Sequence, residues 1–365
     1  MKRKITLQDI GRSLGMSATT VSLALRNHPR ISEATKEKVR KLTEELKYEP
    51  DQVARALVKG KSNLIGVIVP NSSDQYYAKV LKGIEDAAHA VNYHVLLSNG
   101  SYDLEGYARR VNEMMGLRIS GIIAAPPFAS GRPRLPGFWQ ALRESGFAFV
   151  LVNRHLSPAI FHQVTADYHS GVRMVVEALA QYGHRRVAYI SGHPAVLPIH
   201  QRLADFRHFA RKHSFDSDPE LFETSELNYV GGYDACTRLW AAVRKKPTAI
   251  VAFSDTVAVG VLRFLHEQRV AVPGEVSVVG FDGTAVSEFT TPSLSTVATP
   301  MYDVGKQAFE LLLGAIEGKH VFPQDLNLPV HLLLRESVGG RRRAEDRLID
   351  NPFRPAPETR ECRGR

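Results

Sequence analysis

The feature that most constrains this chain of 365 residues is an alternation of short β-branched segments with longer helical segments from Asn63 onward. The predicted strands are residues 65–70, 93–98, 121–125, 147–153, 164–166, 186–191, 249–253 and 276–281. The predicted helices between them are residues 76–92, 105–117, 170–182, 201–213, 232–245 and 256–268. Strands that alternate with helices form parallel sheets, and two successive series predict two doubly wound sheets in an α/β protein.

Positive charge is concentrated at the two ends of the chain. Residues 1–60 hold 13 Lys and Arg against 7 Asp and Glu, and residues 341–365 hold 8 Arg against 5 Asp and Glu. Because the formal charge of the whole chain is +9, residues 61–340 are close to neutral. A basic small segment joined to a neutral large one indicates a module for binding polyanions, although basic ends also serve simply to keep a protein soluble.

Several classes of protein are disfavoured by composition. The two cysteines, Cys236 and Cys362, are too few for a disulfide framework or a thiolate metal site, as is typical of a reduced cytosol. No apolar run approaches the roughly 18 residues of a membrane span, and Gln8, Asp9 and Arg12 stand where a secretory signal would be apolar. We therefore expect a cytoplasmic protein with no membrane association and no bound metal.

The first fifty residues predict three short helices. Thr6 and Asp9 form a capping-box pattern before one apolar stripe, Gly15 permits a tight turn, and Ser17 and Ser32 are caps for two further helices. Helix, glycine turn and helix is the helix-turn-helix arrangement, whose second helix enters the major groove of DNA. A trihelical packing module without a nucleic-acid role remains the alternative.

A short segment after the third helix, residues 51–57, follows Pro50 and has helical composition. Helices shorter than about 12–15 residues are marginal in water, so this one would form only against a partner. It is either a helix that folds on DNA or an ordinary linker.

Six segments together carry a family resemblance. They are ITLQDIG at 5–11, MSATTVS at 16–22, ALRN at 24–27, YEP at 48–50, VARAL at 53–57 and IGVIVP at 65–70. In sequence and spacing they closely resemble the LacI/GalR family of bacterial transcription regulators, over residues 4 to about 338. The resemblance implies a regulator, expected to be a repressor, that binds double-stranded operator DNA as a homodimer and responds to a small-molecule effector, a sugar or a sugar derivative.

The resemblance also implies which residues contact DNA. Positions that read bases in the family hold Ala18, Thr19 and Leu23. Positions that contact phosphates or cap helices hold Thr6, Ser17, Thr20, Ser22 and Asn27. The hinge positions at the operator centre, where an apolar side chain wedges into the minor groove, hold Leu57 with Ala54 beside it.

Two positions depart from the family pattern in a way that affects DNA reading. Leu23 stands where an arginine or another polar residue is frequent, and Val58 stands where lysine or arginine is common. Leucine makes no bidentate contact to guanine, so we expect an apolar contact from Leu23 to a thymine methyl group.

Ligands of open α/β sheets bind outside the carboxyl ends of the strands. The polar and aromatic residues predicted there as effector contacts are Asn71, Tyr76, Tyr77, Asn153, Arg154, Arg202, Asp255 and Asp282. Surface ion pairing is the alternative for Arg202 and Asp282, and a helix N-cap is the alternative for Asp255.

The effector segments match the family with substitutions. Residues 202–206, RLADF, resemble an Arg-x-x-Gly-Phe signature with Asp205 in place of glycine, and GFD at 280–282 matches the strand end whose aspartate binds effector. Ser254 stands where the family usually has an asparagine, and Val196 stands where it often has a polar residue that contacts effector. The effector is therefore expected to differ from those of better-known relatives.

The resemblance implies a domain plan. A helix-turn-helix domain at 1–49 and a hinge at 50–61 precede a bilobed, periplasmic-binding-protein-like core at 62–340. Lobe one is 62–162 with 293–322, and lobe two is 163–292 with 323–340, with residues 292–297 as the third crossing strand. An Arg- and Pro-rich tail at 341–365 is expected to be disordered, and the operator is expected to be pseudo-palindromic.

Two other classes of protein use similar folds. An NAD-type enzyme would carry a Gly-x-Gly-x-x-Gly turn or a phosphate loop, and the sequence contains neither, so no cofactor is expected. A solute-binding receptor would be exported, which conflicts with the polar start of the chain and its basic helical segment.

Overall fold

A computed structural model describes residues 5–48, 62–100, 104–126, 136–154, 159–192, 197–319 and 322–340. The chain forms two compact units, Met1–Ser62 and Asn63–Arg365, which we call the head and the core. The predicted hinge helix, with Ala54 and Leu57, and the predicted tail lie outside the described residues.

The head contains three helices, α1 (Leu7–Leu14), α2 (Ala18–Leu25) and α3 (Glu33–Glu45). Each begins after the predicted cap. The Thr6 hydroxyl accepts from the Asp9 N–H at 3.2 Å, and the Asp9 carboxylate accepts from the Thr6 N–H at 3.0 Å, which completes the capping box. The Ser17 and Ser32 hydroxyls each accept from the N–H three residues later, which caps α2 and α3. The predicted helix starts are confirmed.

A small apolar centre holds the head together. Ile10, Val21, Ala24 and Val39, at least one from each helix, are buried at its middle. Gly11 lets α1 approach the following turn, because a Cβ there would lie 2.6 Å from the Met16 carbonyl oxygen. The turn between α1 and α2 is thus fixed by close backbone packing.

The core contains two six-stranded sheets. The strands of the first are β1 (Leu64–Val69), β2 (His94–Asn99), β3 (Gly121–Ala124), β4 (Ala148–Val152), β5 (His162–Ala166) and β11 (Asp325–Leu328). The strands of the second are β6 (Val187–Ser191), β7 (Phe222–Thr224), β8 (Ala249–Ala252), β9 (Ser277–Asp282), β10 (Ser295–Ala298) and β12 (His331–Leu333). The orders are β11-β5-β4-β3-β1-β2 and β12-β10-β9-β8-β6-β7, and every pair is parallel except β10 with β12.

Helices cover both faces of each sheet. They are α4 (Gln75–Ala90), α5 (Leu104–Gly116), α6 (Pro136–Glu144), α7 (Tyr168–Gln181), α8 (Leu197–Lys212), α9 (Tyr229–Ala242), α10 (Asp255–Glu267), α11 (Val286–Phe289) and α12 (Met301–Ile316). Because both faces are covered, Ile65–Val69 are buried in succession, as is typical of parallel sheets. The predicted fold class, a helical head with two doubly wound sheets, is confirmed.

The chain crosses between the two lobes three times, and each crossing falls later than predicted. β5 pairs with β4 in the first sheet, β10 pairs with β9 in the second, and β11 pairs with β5 in the first. The boundaries predicted after 162, 292 and 322 are therefore corrected to positions after Ala166, Ala298 and Leu328. Residues 295–298 lie wholly in the second sheet.

Local chemistry explains where two of these crossings fall. Pro300 and Pro329 follow β10 and β11 closely. A proline has no N–H to donate to the next ladder bond, so each strand ends before it and the chain leaves the sheet. The first crossing coincides with Asp167, whose side chain accepts from the Ser170 N–H and begins α7.

Some elements were not predicted. They are β7, β11, β12, α6, α11 and α12. Among these, α12 packs on α4 so closely that a Cβ on Gly83 would lie 2.0 Å from the Tyr302 carbonyl oxygen, and a Cβ on Gly305 would lie 2.0 Å from that of Val80. In the described parts of the chain, no helix is long and apolar enough to cross a membrane.

Candidate DNA-binding face and ligand cleft

The exposed face of α2 carries small and apolar side chains. Val21 and Ala24 point into the head, and the opposite side of the helix presents Thr19, Ser22 and Leu23. At 100° per residue these three positions lie within about one quarter-turn of each other. The face therefore allows close approach of a partner surface without offering it a charged group.

Several of the predicted DNA contacts also stabilise the head itself. Thr6 and Ser17 accept N–H groups at helix starts, and the Ser17 and Thr20 hydroxyls lie 2.9 Å apart. Asn27 follows α2 with a positive φ of 54°, a conformation that asparagine tolerates better than most residues. Ala18 is half-buried beside Thr19 at the start of the helix.

Sequence reasoning missed Arg26, the residue directly after α2. Its Nε donates to the Ser22 carbonyl oxygen at 3.2 Å, and its Nη2 donates to the Ser22 hydroxyl at 2.9 Å. The guanidinium is thereby folded back along the exposed face of α2. A spacing of four residues from Ser22 is the only signal in the sequence that could have indicated this.

A cavity of about 440 Å³ opens in the core at the carboxyl ends of β4, β5 and β11. Asn153 lines it from lobe one, and Tyr168, Arg202 and Asp205 line it from lobe two. Thr165 and Asn327, on two crossing strands, also face it and share a hydrogen bond of 3.2 Å. The cavity thus lies where both lobes and two of the crossings meet.

Arg202 is buried without a carboxylate partner among the described residues. Its guanidinium carbon lies 3.8 Å from the Tyr168 ring centre and 4.1 Å from that of Phe253, and Nη1 donates to the Phe253 carbonyl oxygen at 3.0 Å. Its Nε has no hydrogen-bond partner in the described part of the chain. A buried cation held between aromatic rings, with a donor unused, is able to bind an oxygen atom of a ligand.

Asp282 ends β9 as a buried carboxylate. Burial raises its pKa well above the usual value, and the charges of Asp255 and Asp74 add to this, whereas the nearby Arg202 opposes it. Its φ of 107° is costly for a residue other than glycine. Strain of this kind is often retained where a side chain must be aimed at a ligand.

Buried polar atoms with few partners lie in the wall of this cavity and, in the case of Tyr76, behind the wall residue Tyr168. Oδ1 of Asn153 is buried and has no hydrogen-bond partner among the described residues, and the buried hydroxyls of Tyr76 and Tyr168 have no partner there except each other. Burial, followed by the neighbouring Tyr168, raises the pKa of Tyr76 strongly, so it stays a neutral donor. Nδ2 of Asn153 donates to the Tyr77 hydroxyl at 3.4 Å. Buried polar groups are usually hydrogen-bonded, so these side chains are the candidates for contact with a ligand.

Asp255 has an internal role in the structure. Its carboxylate accepts from the N–H of Thr284 at 2.6 Å, from the Thr284 hydroxyl at 2.9 Å and from the Thr296 hydroxyl. Burial raises its pKa to about 6, and the same hydrogen bonds lower it. The N-cap of α10 is Ser254, so the alternative assignment of Asp255 as that cap is corrected.

Two other predicted effector residues make hydrogen bonds of their own. Arg154 is buried and donates to the carbonyl oxygens of Pro126 and Asn153 at 2.6 and 2.7 Å. Asn71 is exposed and accepts from the Ser73 N–H at 3.0 Å. Both shape the loops that follow strands.

Two residues in the cavity wall were not among the effector contacts predicted from the sequence. Tyr168 stacks on Arg202, and Asp205 pairs with Nδ1 of His169 at 2.9 Å. The aromatic contact depends on tertiary packing, which a sequence does not display. Asp205 does carry a signal in the sequence, because it replaces the glycine of the Arg-x-x-Gly-Phe signature.

Both parts of the chain match known protein families. The family model described as bacterial regulatory proteins, lacI family, matches residues 6–51, and the periplasmic binding protein-like domain matches residues 176–338. Catabolite control protein A of Priestia megaterium is 30% identical over 336 residues, covering 92% of this chain and 99% of that one. The regulator GalR of Escherichia coli K12 is 27% identical, covering 90% and 94%.

Solved structures show the same fold. The Lac repressor dimer bound to operator and the anti-inducer ONPF has a TM-score of 0.84 at 23% identity, covering 93% of this chain and all of that one. The CelR–cellobiose complex has a TM-score of 0.68 at 25% identity, covering 92% and 100%.

A trihelical DNA-binding head and a bilobed core with a polar cleft define the class of transcription regulators built on a periplasmic-binding-protein-like domain. This chain belongs to the LacI family of bacterial regulatory proteins. It is a DNA-binding regulator and not an enzyme, which sets aside both alternative classes.

Proposed function

We propose that this chain is a cytoplasmic, homodimeric repressor whose affinity for a pseudo-palindromic operator is controlled by a small hydroxyl-rich ligand in the interlobe cleft. The observation that carries the proposal is the set of unpaired buried polar groups in that cleft. Arg202 offers an unpaired donor at Nε, Asn153 an unpaired acceptor at Oδ1, and the buried hydroxyls of Tyr76 and Tyr168 offer either. Asp282 adds a buried carboxyl group that interacts with Arg202. A ligand with several hydroxyl groups matches donors and acceptors that alternate around aromatic rings.

The DNA-binding face is the exposed side of α2 with the cap positions around it. The proposed contacts are Thr6, Ser17, Ala18, Thr19, Thr20, Ser22, Leu23 and Asn27, with Ala54 and Leu57 at the operator centre. The net charge of +6 on residues 1–60 supports this assignment, because cations in this segment attract the phosphate backbone. A dimer places two such faces on two half-sites.

The proposed ligand contacts are a narrower set than the sequence predicted. They are Arg202, Asp282, Tyr76, Tyr77 and Asn153. Asp255 supports Asp282 instead, since its carboxylate ties the segment after β9 to β10. The cavity volume of about 440 Å³ falls in the usual range for small-ligand sites and accommodates a sugar or a sugar derivative.

Ligand binding would act through the position of the two lobes. Tyr76 and Asn153 belong to lobe one, whereas Arg202, Asp282 and Tyr168 belong to lobe two. A ligand that contacts both groups stabilises one interlobe arrangement over others, and this differential binding is what shifts an equilibrium. A direct contact already spans the lobes, since Gln75 donates to the Tyr229 hydroxyl at 3.2 Å.

The DNA part is tested by selecting duplexes from a random library with the full chain and measuring affinity by fluorescence anisotropy. Thr19→Glu places a negative charge on the exposed face of α2 and should weaken binding at least about tenfold through phosphate repulsion. Thr237→Glu makes the same change on exposed α9 and should leave affinity unchanged. Equal affinity of both variants and the wild type would refute the DNA-binding face.

The ligand part is tested by a thermal-shift screen of sugars, nucleosides and uronic acids. A ligand present at 100 times its Kd stabilises the folded protein by about 2.7 kcal/mol. Arg202→Met and Asp282→Asn should each abolish the shift, and the ligand should change operator affinity of the wild type. A stabilising ligand that acts equally on both variants would place the site elsewhere.

A further inference from the structure

The helix that presents the DNA-binding face has no charge of its own. Residues Ala18–Leu25 read ATTVSLAL and include neither an acidic nor a basic side chain. Affinity for duplex DNA depends strongly on cations that displace counterions from phosphates. A positive charge next to the DNA phosphates must therefore come from a residue adjacent to this helix.

Arg26 is positioned to supply that cation. Residues 19, 22, 23 and 26 follow the i, i+3, i+4, i+7 spacing of one helical face, opposite the buried Val21 and Ala24. Two hydrogen bonds to Ser22 hold the guanidinium along this face, at 3.2 Å from Nε and 2.9 Å from Nη2. An exposed arginine held by two bonds has lost part of its conformational freedom before it meets a partner.

The outer edge of this guanidinium is unoccupied. Among the described residues no carboxylate lies within ion-pair distance of Arg26, although other exposed arginines such as Arg12 and Arg263 have such partners. Nε and one Nη2 hydrogen are used on Ser22, which leaves the Nη1 and Nη2 hydrogens that form the terminal fork. That fork matches the geometry of two phosphate oxygens.

The position along the helix distinguishes phosphate from base contact. In helix-turn-helix proteins the N-terminal residues of the recognition helix reach the base edges. Arg26 lies seven residues beyond Thr19, about 10 Å further along the helix axis at 1.5 Å per residue. A side chain at that end of the helix meets the backbone that borders the groove.

We propose that Arg26 and Ser22 form a phosphate clamp, in which the serine fixes the guanidinium and the terminal fork grips one backbone phosphate per half-site. This inference rests on the proposed DNA-binding face and adds to it the residue that carries its electrostatics. It assigns Arg26 to affinity and leaves sequence discrimination to Ala18, Thr19 and Leu23.

The test measures the salt dependence of DNA binding with full-length protein. Log K falls with log salt by about 0.9 for each phosphate neutralised, so Arg26→Gln should reduce the slope by about 0.9 per head, or about 1.8 for a dimer. Affinity at moderate salt should fall roughly tenfold for each head that loses a charge-assisted contact. The loss should be equal for a selected duplex and an unrelated one. Arg40→Gln removes an exposed arginine from α3 and is expected to leave the slope unchanged.

A second variant separates the clamp from a merely structural role. Ser22→Ala removes the anchor, so it should lower affinity more in the wild-type background than in Arg26→Gln, where only the contact of Ser22 itself is lost, because coupled residues are not additive. The clamp would be overturned if Arg26→Gln left the slope of log K against log salt unchanged, whether or not its base preference changed. Binding by the wild-type protein would in that case still support the DNA-binding face. If the wild-type protein bound none of the selected duplexes, both proposals would fail together.

Discussion

The substitution Asp255→Asn tests how burial of one carboxylate sets the pH dependence of stability. Burial raises the pKa of Asp255 to about 6 from an ordinary value of 3.8. A raised pKa means that the folded protein holds the proton more tightly than the unfolded chain. This group therefore favours folding below about pH 4, and its contribution is lost as the pH rises through about 6.

The magnitude follows from the two pKa values. Their difference corresponds to about 3 kcal/mol in all, of which about 2 kcal/mol is lost between pH 4.5 and 7.5. In a lobe of this size, 1 kcal/mol changes the melting temperature by about 2–4 °C. Asp255→Asn, which does not titrate, should therefore remove about 4–8 °C from the decline that the wild type shows over this range.

The assay compares melting temperatures of the full chain at pH 4.5 and 7.5 by differential scanning fluorimetry. Apart from Asp282, whose pKa the charge of Asp255 raises, the other groups titrate alike in both proteins. The difference between the two profiles therefore reports Asp255 together with its effect on Asp282. Asp234→Asn makes the same change at an exposed position of α9 and should leave the profile unchanged. Parallel profiles for the wild type and Asp255→Asn would show that this carboxylate is not held in the environment described.

Three further outcomes are expected. Gly305→Ala should lower the melting temperature of the core, because its Cβ would lie 2.0 Å from the Val80 carbonyl oxygen. Gly116→Ala has open space around the new Cβ and should leave the melting temperature unchanged. Equal melting temperatures of the two variants would contradict the close helix packing. Thr6→Ala should cost the head about 1 kcal/mol by removing the capping box, seen as faster amide exchange in α1, and Thr6→Ser should restore protection. Arg202→Lys should bind the cleft ligand much more weakly in calorimetry, because lysine lacks the planar group that stacks between two rings; wild-type affinity would refute this role.

Most of the fold could be predicted because its central strands are short apolar runs between helices. β1 and β8 are buried along nearly their whole length, and burial on both faces requires such runs. β11, with sequence DLNL, is an edge strand with alternating exposure, so it lacks that signal. The crossings were misplaced because the apolar pattern does not mark which sheet a strand joins, although the prolines after β10 and β11 did mark where each strand ends.

Part of the candidate cleft could be predicted from position in the sequence alone. Arg202 and Asp282 follow strands, and the carboxyl ends of parallel strands meet at one edge. The role of Asp255 was not predictable, since it depends on Thr284 and Thr296, which are 29 and 41 residues further along the chain. Arg26 was missed because the direction of its side chain depends on two hydrogen bonds that composition does not reveal.

The order in which strands enter the sheets has a consequence for synthesis on the ribosome. The first sheet gains its last strand at Leu328 and the second at Leu333, because the chain returns to each lobe after visiting the other. Neither lobe can therefore complete its hydrophobic core until almost all of the polypeptide has emerged. The three helices of the head, in contrast, are finished by Glu45, so the part of the molecule that approaches nucleic acid can fold while most of the chain has yet to be translated.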